Sequence, residues 1–162
     1  MNESKEIEIA FAKTARKFCQ LGDGVNVRPW QALNWEGNWT EERDLAFPIV
    51  ALTCGVPRFD PEQCTMYCDL FILCGTYADD DKNHDGISAL FGQLHALCYS
   101  LSIQARAQTG TEFDHFKNLL ATACGTGFNG VGGITYSDGS DPTDDGGANT
   151  MGLVMRVHYS RD

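Results

Sequence analysis

The sequence predicts an α+β fold, a mostly antiparallel sheet of about four to five strands packed against two to three helices. Residues 85–103 place apolar side chains at three- and four-residue steps, which is the period of an amphipathic helix. Residues 150–159 alternate apolar and polar side chains, which is the period of a strand with one buried face. A length of 162 residues fits a single domain, 1–162, with its own hydrophobic core.

Two further helices are predicted on either side of helix 85–103. Residues 4–21 carry an amphipathic pattern that ends at a glycine, as the C-terminal cap of a helix often does. Residues 110–123 carry a second such pattern. There, Thr109 and Glu112 have the spacing of a capping box, in which each residue bonds the other's backbone.

Strands are predicted at 24–29, 46–56, 64–77, 131–136 and 150–159. Segment 64–77 is apolar on both faces, so we expect a central strand or one that lies under a subunit contact. Residues 57–61 are predicted as a turn because they hold two prolines and an aspartate. In the last strand, we expect an inward face formed by Leu153, Met155, Val157 and Tyr159. We expect Arg156 and His158 to lie on the outward face.

Two long loops, 30–45 and 137–149, interrupt these elements. The first contains all three tryptophans, Trp30, Trp35 and Trp39, at gaps that fit neither a strand nor a helix. Tryptophans in a loop either cover the domain's own core or anchor an interface, and both interpretations stay open. The second loop is too polar to fold by itself, so we expect it to be mobile in the free chain.

The seven cysteines are odd in number and form no CxxC pair, which argues against a zinc ribbon. Cys64, Cys68 and Cys74 share one strand parity, so they would line one face and could not easily pair with one another. We therefore predict small buried side chains in a reducing compartment. A thiol nucleophile is the alternative, and Cys54 and Cys124, both next to glycines, are its candidates.

The net charge of −10 is unevenly distributed. Residues 41–85 carry ten acidic and three basic side chains, and residues 129–162 carry five and two, whereas the rest of the chain is balanced. Such a surface repels nucleic-acid phosphate, which argues against specific DNA or RNA binding. No apolar run approaches the roughly 20 residues that span a bilayer, and the charged first residues do not resemble a signal peptide. We expect a cytosolic product without membrane contact.

Residues 81–86, Asp-Lys-Asn-His-Asp-Gly, match the first half of an EF-hand loop. The twelfth loop position, which should supply a bidentate glutamate, is Gly92. We therefore predict an acidic turn that caps helix 85–103 and not a calcium site. The histidines lack metal-ligand spacing, and the chain contains no nucleophile elbow, phosphate loop or dinucleotide-binding motif. The sequence predicts no catalytic residue, metal or cofactor.

The order of elements is the remaining functional signal. An amphipathic helix, a variable loop and a strand precede the apolar strand Thr65–Tyr77, an acidic break and a leucine-rich helix. A strand, a Gly/Asp-rich loop and the closing strand Met151–Tyr159 complete the domain. This order resembles that of the tail-terminator and neck proteins of tailed bacteriophages. The additional helix within 104–128 departs from the usual pattern of that family.

The resemblance implies a structural virion protein, made in the host cytoplasm, which forms a homohexameric ring at the head-proximal end of the tail. Such a ring ends tube polymerisation and joins the tail to the head connector, and it contacts the tube protein and a connector or stopper protein. DNA would pass through its lumen without specific binding. Our candidate interface residues are Trp35, Trp39, Glu41, Glu42, Asp138, Asp141, Asp144 and Asp145. The alternatives are another neck or connector-completion subunit, a small cytosolic thiol enzyme and a calcium-dependent binding module.

Overall fold

A computed structural model describes residues 3–21, 25–29, 48–77, 81–102, 111–136, 143–145 and 148–161. Its elements, in chain order, are α1 (Glu3–Phe18), β1 (Asn26–Pro29), β2 (Ile49–Cys54), β3 (Arg58–Asp60), β4 (Thr65–Tyr77), α2 (Asp85–Ser100), α3 (Glu112–Cys124), β5 (Thr126–Tyr136), β6 (Thr143–Asp145) and β7 (Ala148–Arg161). The α+β prediction is confirmed.

The strands form one sheet in the order β1-β2-β4-β7-β5. Its centre is the long antiparallel pair of β4 and β7, in register from Met66 opposite Tyr159 to Tyr77 opposite Ala148. Strand β1 runs parallel to β2, and the other pairs are antiparallel. Short strand β3 pairs with β4 beyond the end of β2, and short strand β6 pairs with β7 beyond the end of β5. The central position predicted for segment 64–77 is therefore confirmed.

The core lies between one face of the sheet and the three helices. Alternate side chains of the central strands point to it, and those of Cys68, Leu70, Ile72, Met155 and Val157 have no exposed surface. Each helix contributes one apolar stripe, because side chains three and four residues apart share a helix face. The buried members of these stripes include Ile7, Phe11 and Ala15 of α1, Ile87, Leu90 and Leu94 of α2, and Phe113, Phe116 and Leu120 of α3.

The predicted alternation of the last strand is confirmed on its inward face, where each of the four side chains is at most 1% exposed. On the outward face Arg156 is exposed. His158 shares that face, but it is only 4% exposed, because the Tyr67 ring lies 5.9 Å from the imidazole and β5 passes beside it. The outward-facing side chains of this strand are therefore not all exposed to solvent.

Two local predictions are wrong because strand pairing overrides turn composition. Residues 57–61 were expected to be a turn, but Arg58–Asp60 form β3 by pairing with Thr65, Met66 and Tyr67. The actual turn occupies 61–64, where Cys64 has a positive φ of 53°. Likewise, part of the predicted loop 137–149 is β6, which pairs with the start of β7.

The predicted capping box of the third helix is also wrong. Helix α3 begins at Glu112, which is its first residue, and Thr111 occupies the N-cap position with extended backbone. Glu112 is therefore two positions too early to reach back as a capping-box glutamate does. Thr109 lies outside the described residues. Gly125 caps the C-terminal end of the helix, and its φ of 65° is the left-handed conformation that glycine adopts without strain.

Candidate functional site

The predicted interface residues lie mostly outside the described part of the chain. This holds for the loop 30–45 and for Trp35, Trp39, Glu41, Glu42, Asp138 and Asp141. Asp144 and Asp145 belong to β6, where they are in backbone register with Asn149 and Ala148 of β7. They are thus part of a strand pair, and the interface prediction stays a prediction.

The outer face of the sheet, turned away from the helices, carries a polar and aromatic surface that the sequence did not identify. We call it the outer patch and define it as Tyr67, Asp69, Phe71, Thr135, Val154 and Arg156, all of which are exposed or half-exposed. The strand register brings these residues together, since Asp69 is opposite Arg156 and Phe71 is opposite Val154. Asp69 alone among the residues of β4 is charged, and with the outward position predicted for Arg156 it was the sequence signal for the site.

Arg156 organises the centre of the outer patch. Its Nε donates to Asp69 Oδ1 at 2.9 Å, and its guanidinium carbon lies 4.3 Å from the centre of the Tyr67 ring. The hydrogen bond to Asp69 holds the pKa of Arg156 above its usual value. Both side chains are nearly half exposed, so the ion pair contributes at most about 1 kcal/mol to folding. Its main effect is to hold a planar cation flat on the surface, where a partner can contact it.

A shallow cleft of about 370 Å³ continues the outer patch toward β5, and glycines form part of it. Gly132 and Gly133 line the cleft together with Asp69, Thr135, Val154 and Arg156. His158 lies beside Gly132, and its Nδ1 is 3.2 Å from Thr65 Oγ1. Burial lowers the pKa of His158, so the imidazole is neutral at pH 7.

Within the described ranges, strand β5 is the last strand at this end of the sheet, next to the cleft. Among the described residues it pairs with β7 on one side, and on the other side it has one isolated bridge, from Val131 to Ser102. Its register shifts twice, between Phe128 and Gly130 and between Val131 and Gly133. An edge strand presents unpaired backbone N–H and C=O groups to a neighbouring chain. The outer patch and this edge therefore form one continuous candidate interface.

A second candidate site is a buried polar cluster beneath the first turn of α1, which we call the thiol cluster and define as Ser4, Cys54, Cys68 and Tyr159. Ser4 Oγ donates to the carbonyl oxygen of Gly55 at 2.6 Å and lies 3.9 Å from Cys68 Sγ. Tyr159 Oη is 3.8 Å from the same sulfur. Cys54 of β2 and Cys68 of β4 lie on paired strands, and each thiol changes the acidity of the other.

The interaction between the two thiols separates their acidities. It holds the pKa of Cys68 below its usual value and, together with burial, raises that of Cys54 far above it. Cys54, the sequence candidate for a nucleophile, is therefore the weaker acid of the two. Cys68 has no exposed surface, so a substrate could reach it only if the start of α1 moved. The other candidate, Cys124, is half-buried, and its Sγ lies 3.4 Å from the carbonyl oxygen of Leu120.

The prediction that the cysteines are buried holds for four of the seven. Cys54, Cys68, Cys74 and Cys98 are buried, Cys19 and Cys124 are half-buried, and Cys64 is exposed, all as free thiols. The prediction is wrong for Cys64 because this residue belongs to the turn 61–64 and not to β4. Burial raises the pKa of Cys19 to about 11.

We predict that Cys64 is the fast-reacting thiol when the native protein meets an aromatic disulfide reagent at neutral pH. The buried thiols should react at least about tenfold more slowly, because a thiol must be accessible and ionised to react. The Cys64→Ser variant should lose the fast phase, and in denaturant all remaining thiols should react together. A fast phase that survives in Cys64→Ser and disappears in Cys68→Ser would instead support a reactive thiol in the thiol cluster.

The calcium-like segment 81–86 acts as a helix cap, as predicted. Asp81 Oδ1 accepts a hydrogen bond from the Gly86 N–H at 2.8 Å, and Oδ2 accepts from the Ile87 N–H at 2.9 Å. Oδ2 also accepts from Thr76 Oγ1 at 2.8 Å, which ties the cap to β4. Gly92 lies on the exposed side of α2. Within the described ranges, no group of three or more His, Cys, Asp or Glu side chains could hold a metal ion.

We predict that Asp81→Asn lowers the free energy of unfolding by about 1–2 kcal/mol at pH 7, the usual worth of a charged cap. Burial acts to raise the pKa of this carboxyl, but the hydrogen bonds from Gly86, Thr76 and Ile87 outweigh it, and the pKa lies below its usual 3.8. The stabilisation is therefore fully present above pH 3.8 and is lost as the pH falls below it.

Urea unfolding at several pH values tests this prediction. The loss of stability that the wild type shows below that pH should be smaller in Asp81→Asn. Asp85→Asn is the matched control, because Asp85 is the exposed first residue of the same helix, and it should have a smaller effect. Equal effects for the two variants would contradict the role of Asp81 as the cap.

The sequence matches no protein-family model, and a search of curated proteins gave no match either. Of the helices in the described part of the chain, none combines the length and apolar character needed to cross a membrane.

Proposed function

We propose that this protein is a tail terminator, a structural subunit that forms a homohexameric ring at the head-proximal end of a bacteriophage tail. The ring ends polymerisation of the tail tube and joins the tail to the head connector. The observation that supports this proposal best is the continuity of the outer patch with β5, the edge strand of the sheet among the described residues. A small domain with one face of its sheet covered by helices and the other face partly exposed has a surface suited to a neighbouring subunit.

The chemistry of the outer patch fits a protein interface. Aromatic and arginine side chains are enriched at the centres of such interfaces, and here Tyr67 and Arg156 are already stacked on each other. The edge of β5 offers backbone hydrogen bonds to an added strand, which is a common way for chains to join. Because the outer patch includes Thr135 of β5, it adjoins this edge, and one neighbouring subunit can use both features.

The charge of the chain fits the passage of DNA through a ring. With a net charge of −10, the subunit repels phosphate, so DNA would pass a lumen of this protein without adhering to it. Most of the acidic excess is carried by residues 41–85. The proposal therefore assigns DNA a path and no binding site.

The test combines one substitution in the outer patch with electron microscopy. Thr135→Arg places a long cation at an exposed position of β5, and we expect it to weaken ring formation at least about tenfold. Ala89→Arg, which introduces the same side chain at an exposed position of α2, is the matched control and should assemble like the wild type. Assembly is measured by light scattering of the purified chain and by counting rings at tail ends in micrographs.

Particles in which this subunit occupies another layer of the neck would replace the tail-terminator proposal with a connector-completion role. Tails that form with normal length and join to heads in the absence of the subunit would contradict both. A thiol enzyme would instead show turnover that disappears in Cys68→Ser, and rings would then be unnecessary for its activity.

A further inference from the structure

The helix layer carries a second surface, on the side of the molecule opposite the outer patch. It is a groove of about 480 Å³ between α1 and α3, which we call the basic groove. Its lining residues are Ala12, Lys13, Arg16, Lys17, His115 and Leu119. Apolar and cationic groups alternate in it, and in a chain with a net charge of −10 this concentration of cations is a local exception.

The cations of the basic groove are not neutralised within the described part of the chain. Arg16 Nη1 donates to a neutral acceptor, the carbonyl oxygen of Val25, at 2.9 Å. Lys17 Nζ lies 5.5 Å from the ring of the adjacent Phe18, and Lys13 is exposed. Partial burial and then the charge of Lys17 lower the pKa of His115. An anion bound in the groove would reduce the electrostatic repulsion among these cationic side chains.

A complementary feature projects from the opposite end of the same molecule. The segment 56–63, which we call the β3 turn, exposes Val56 and Phe59 by 76% and 59% of their surfaces. Glu62 is exposed, and Asp60 Oδ1 holds the turn by accepting from the Glu62 N–H at 3.0 Å. Apolar and acidic groups thus project together, although Arg58 adds one cation to the segment. The apolar and acidic side chains of the β3 turn are therefore chemically complementary to a groove that is apolar and basic.

One molecule cannot fill its own groove. Ser4, in the first turn of α1, contacts Gly55 next to the β3 turn, whereas the groove begins at Ala12 and Lys13. At a rise of 1.5 Å per residue, Lys13 lies roughly 13 Å farther along the helix. Since the two surfaces differ, copies that join through them form a head-to-tail contact, and such contacts close into a ring when the rotation between copies permits.

We infer that the basic groove binds the β3 turn of a second copy of this chain, with Phe59 against the apolar groups of the groove and Glu62 near Lys13 and Lys17. This inference rests on the proposed function, because it names the contact that would connect neighbouring subunits of the ring. It makes the groove and the turn two halves of one repeated interface.

Reversal of charge on each side, and then on both, tests the inference by sedimentation velocity of the full chain. Lys17→Glu and Glu62→Lys should each weaken self-association at least about tenfold, and the double variant should regain a large part of it. Lys82→Glu, an exposed lysine in the turn before α2, is the matched control and should associate like the wild type. Circular dichroism checks that every variant is folded.

Several outcomes would overturn the inference. One is unchanged association in both single variants, and another is a wild-type chain that stays monomeric up to about 1 mM. A third is wild-type binding of a labelled single-stranded oligonucleotide that Lys17→Glu abolishes while association is unchanged, because the groove would then be a phosphate site. Rings that form normally in Lys17→Glu reject this contact and leave the proposed function standing. Groove-dependent association of a protein that micrographs do not find in tails rejects the proposed function alone.

Discussion

Phe116→Ala is expected to lower the free energy of unfolding by about 3–5 kcal/mol, the usual loss for an aromatic side chain truncated in a core. Phe116 has no exposed surface, and its ring is 4.7 Å from that of Phe128 in an edge-to-face arrangement. Phe113 contacts the same Phe128 ring at 4.7 Å, so the three rings connect α3 to β5. Truncation of Phe116 removes packed surface from this group and leaves a cavity that the surrounding side chains fill only in part.

Urea unfolding followed by circular dichroism measures this loss, and Phe59→Ala provides the matched control. Phe59 is 59% exposed, so the same substitution should change stability by about 0.5 kcal/mol or less. Because a domain of this size has only about 5–15 kcal/mol of stability in total, Phe116→Ala should also unfold at a clearly lower temperature. Similar losses in the two variants would mean that the group of rings between α3 and β5 is not part of the cooperative core.

The same rings show why the sequence predicted the major elements well. Phe113, Phe116 and Leu120 are three and four residues apart, and only a helix places such residues on one face. Helix α2 shows the limit of this reasoning. Its apolar pattern continues to Leu101, which is fully buried, but the helix itself ends at Ser100. The predicted end of the helix at residue 103 followed the apolar pattern of the sequence, which does not indicate where the backbone conformation changes.

The short strands could not be predicted, because they exist only through their partners. The three residues of β3 show no alternation that separates them from a turn, and they become a strand by pairing with Thr65, Met66 and Tyr67. Residues Thr143–Asp145 are polar and resemble a loop, yet they pair with the first residues of β7. In both cases a neighbouring long strand supplies the hydrogen bonds, and the composition of the short segment does not indicate which strand lies beside it.

The candidate sites depend even more on long-range register. Asp69 and Arg156 are 87 residues apart, and they meet because β4 and β7 align them directly. The same register brings Cys68 close to Tyr159, and the pairing of β2 with β4 brings it close to Cys54. The sequence supplied the parity of Cys68 within its strand, but not which strand lies beside it. A correct element list is therefore insufficient to find either the outer patch or the thiol cluster.

Gly132→Ala is expected to lower the free energy of unfolding by about 2–4 kcal/mol, although it adds a single methyl group. A Cβ atom at this position would overlap the imidazole of His158. His158 is only 4% exposed and lies beside the Tyr67 ring, so it has little room to move away. Overpacking of this kind costs about 1–3 kcal/mol, and displacement of the imidazole from Thr65 Oγ1 costs about 1 kcal/mol more.

The neighbouring glycine supplies the matched control, since a Cβ atom at Gly133 would meet nothing within 4 Å. Gly133→Ala should therefore change stability by about 0.5 kcal/mol or less, even though the two positions are adjacent in β5. The nitrogen and proton resonances of His158 give a second readout, because they should shift in Gly132→Ala and not in Gly133→Ala. Wild-type stability and unshifted His158 resonances in both variants would contradict the close approach of β5 to β7. This approach closes one side of the outer patch.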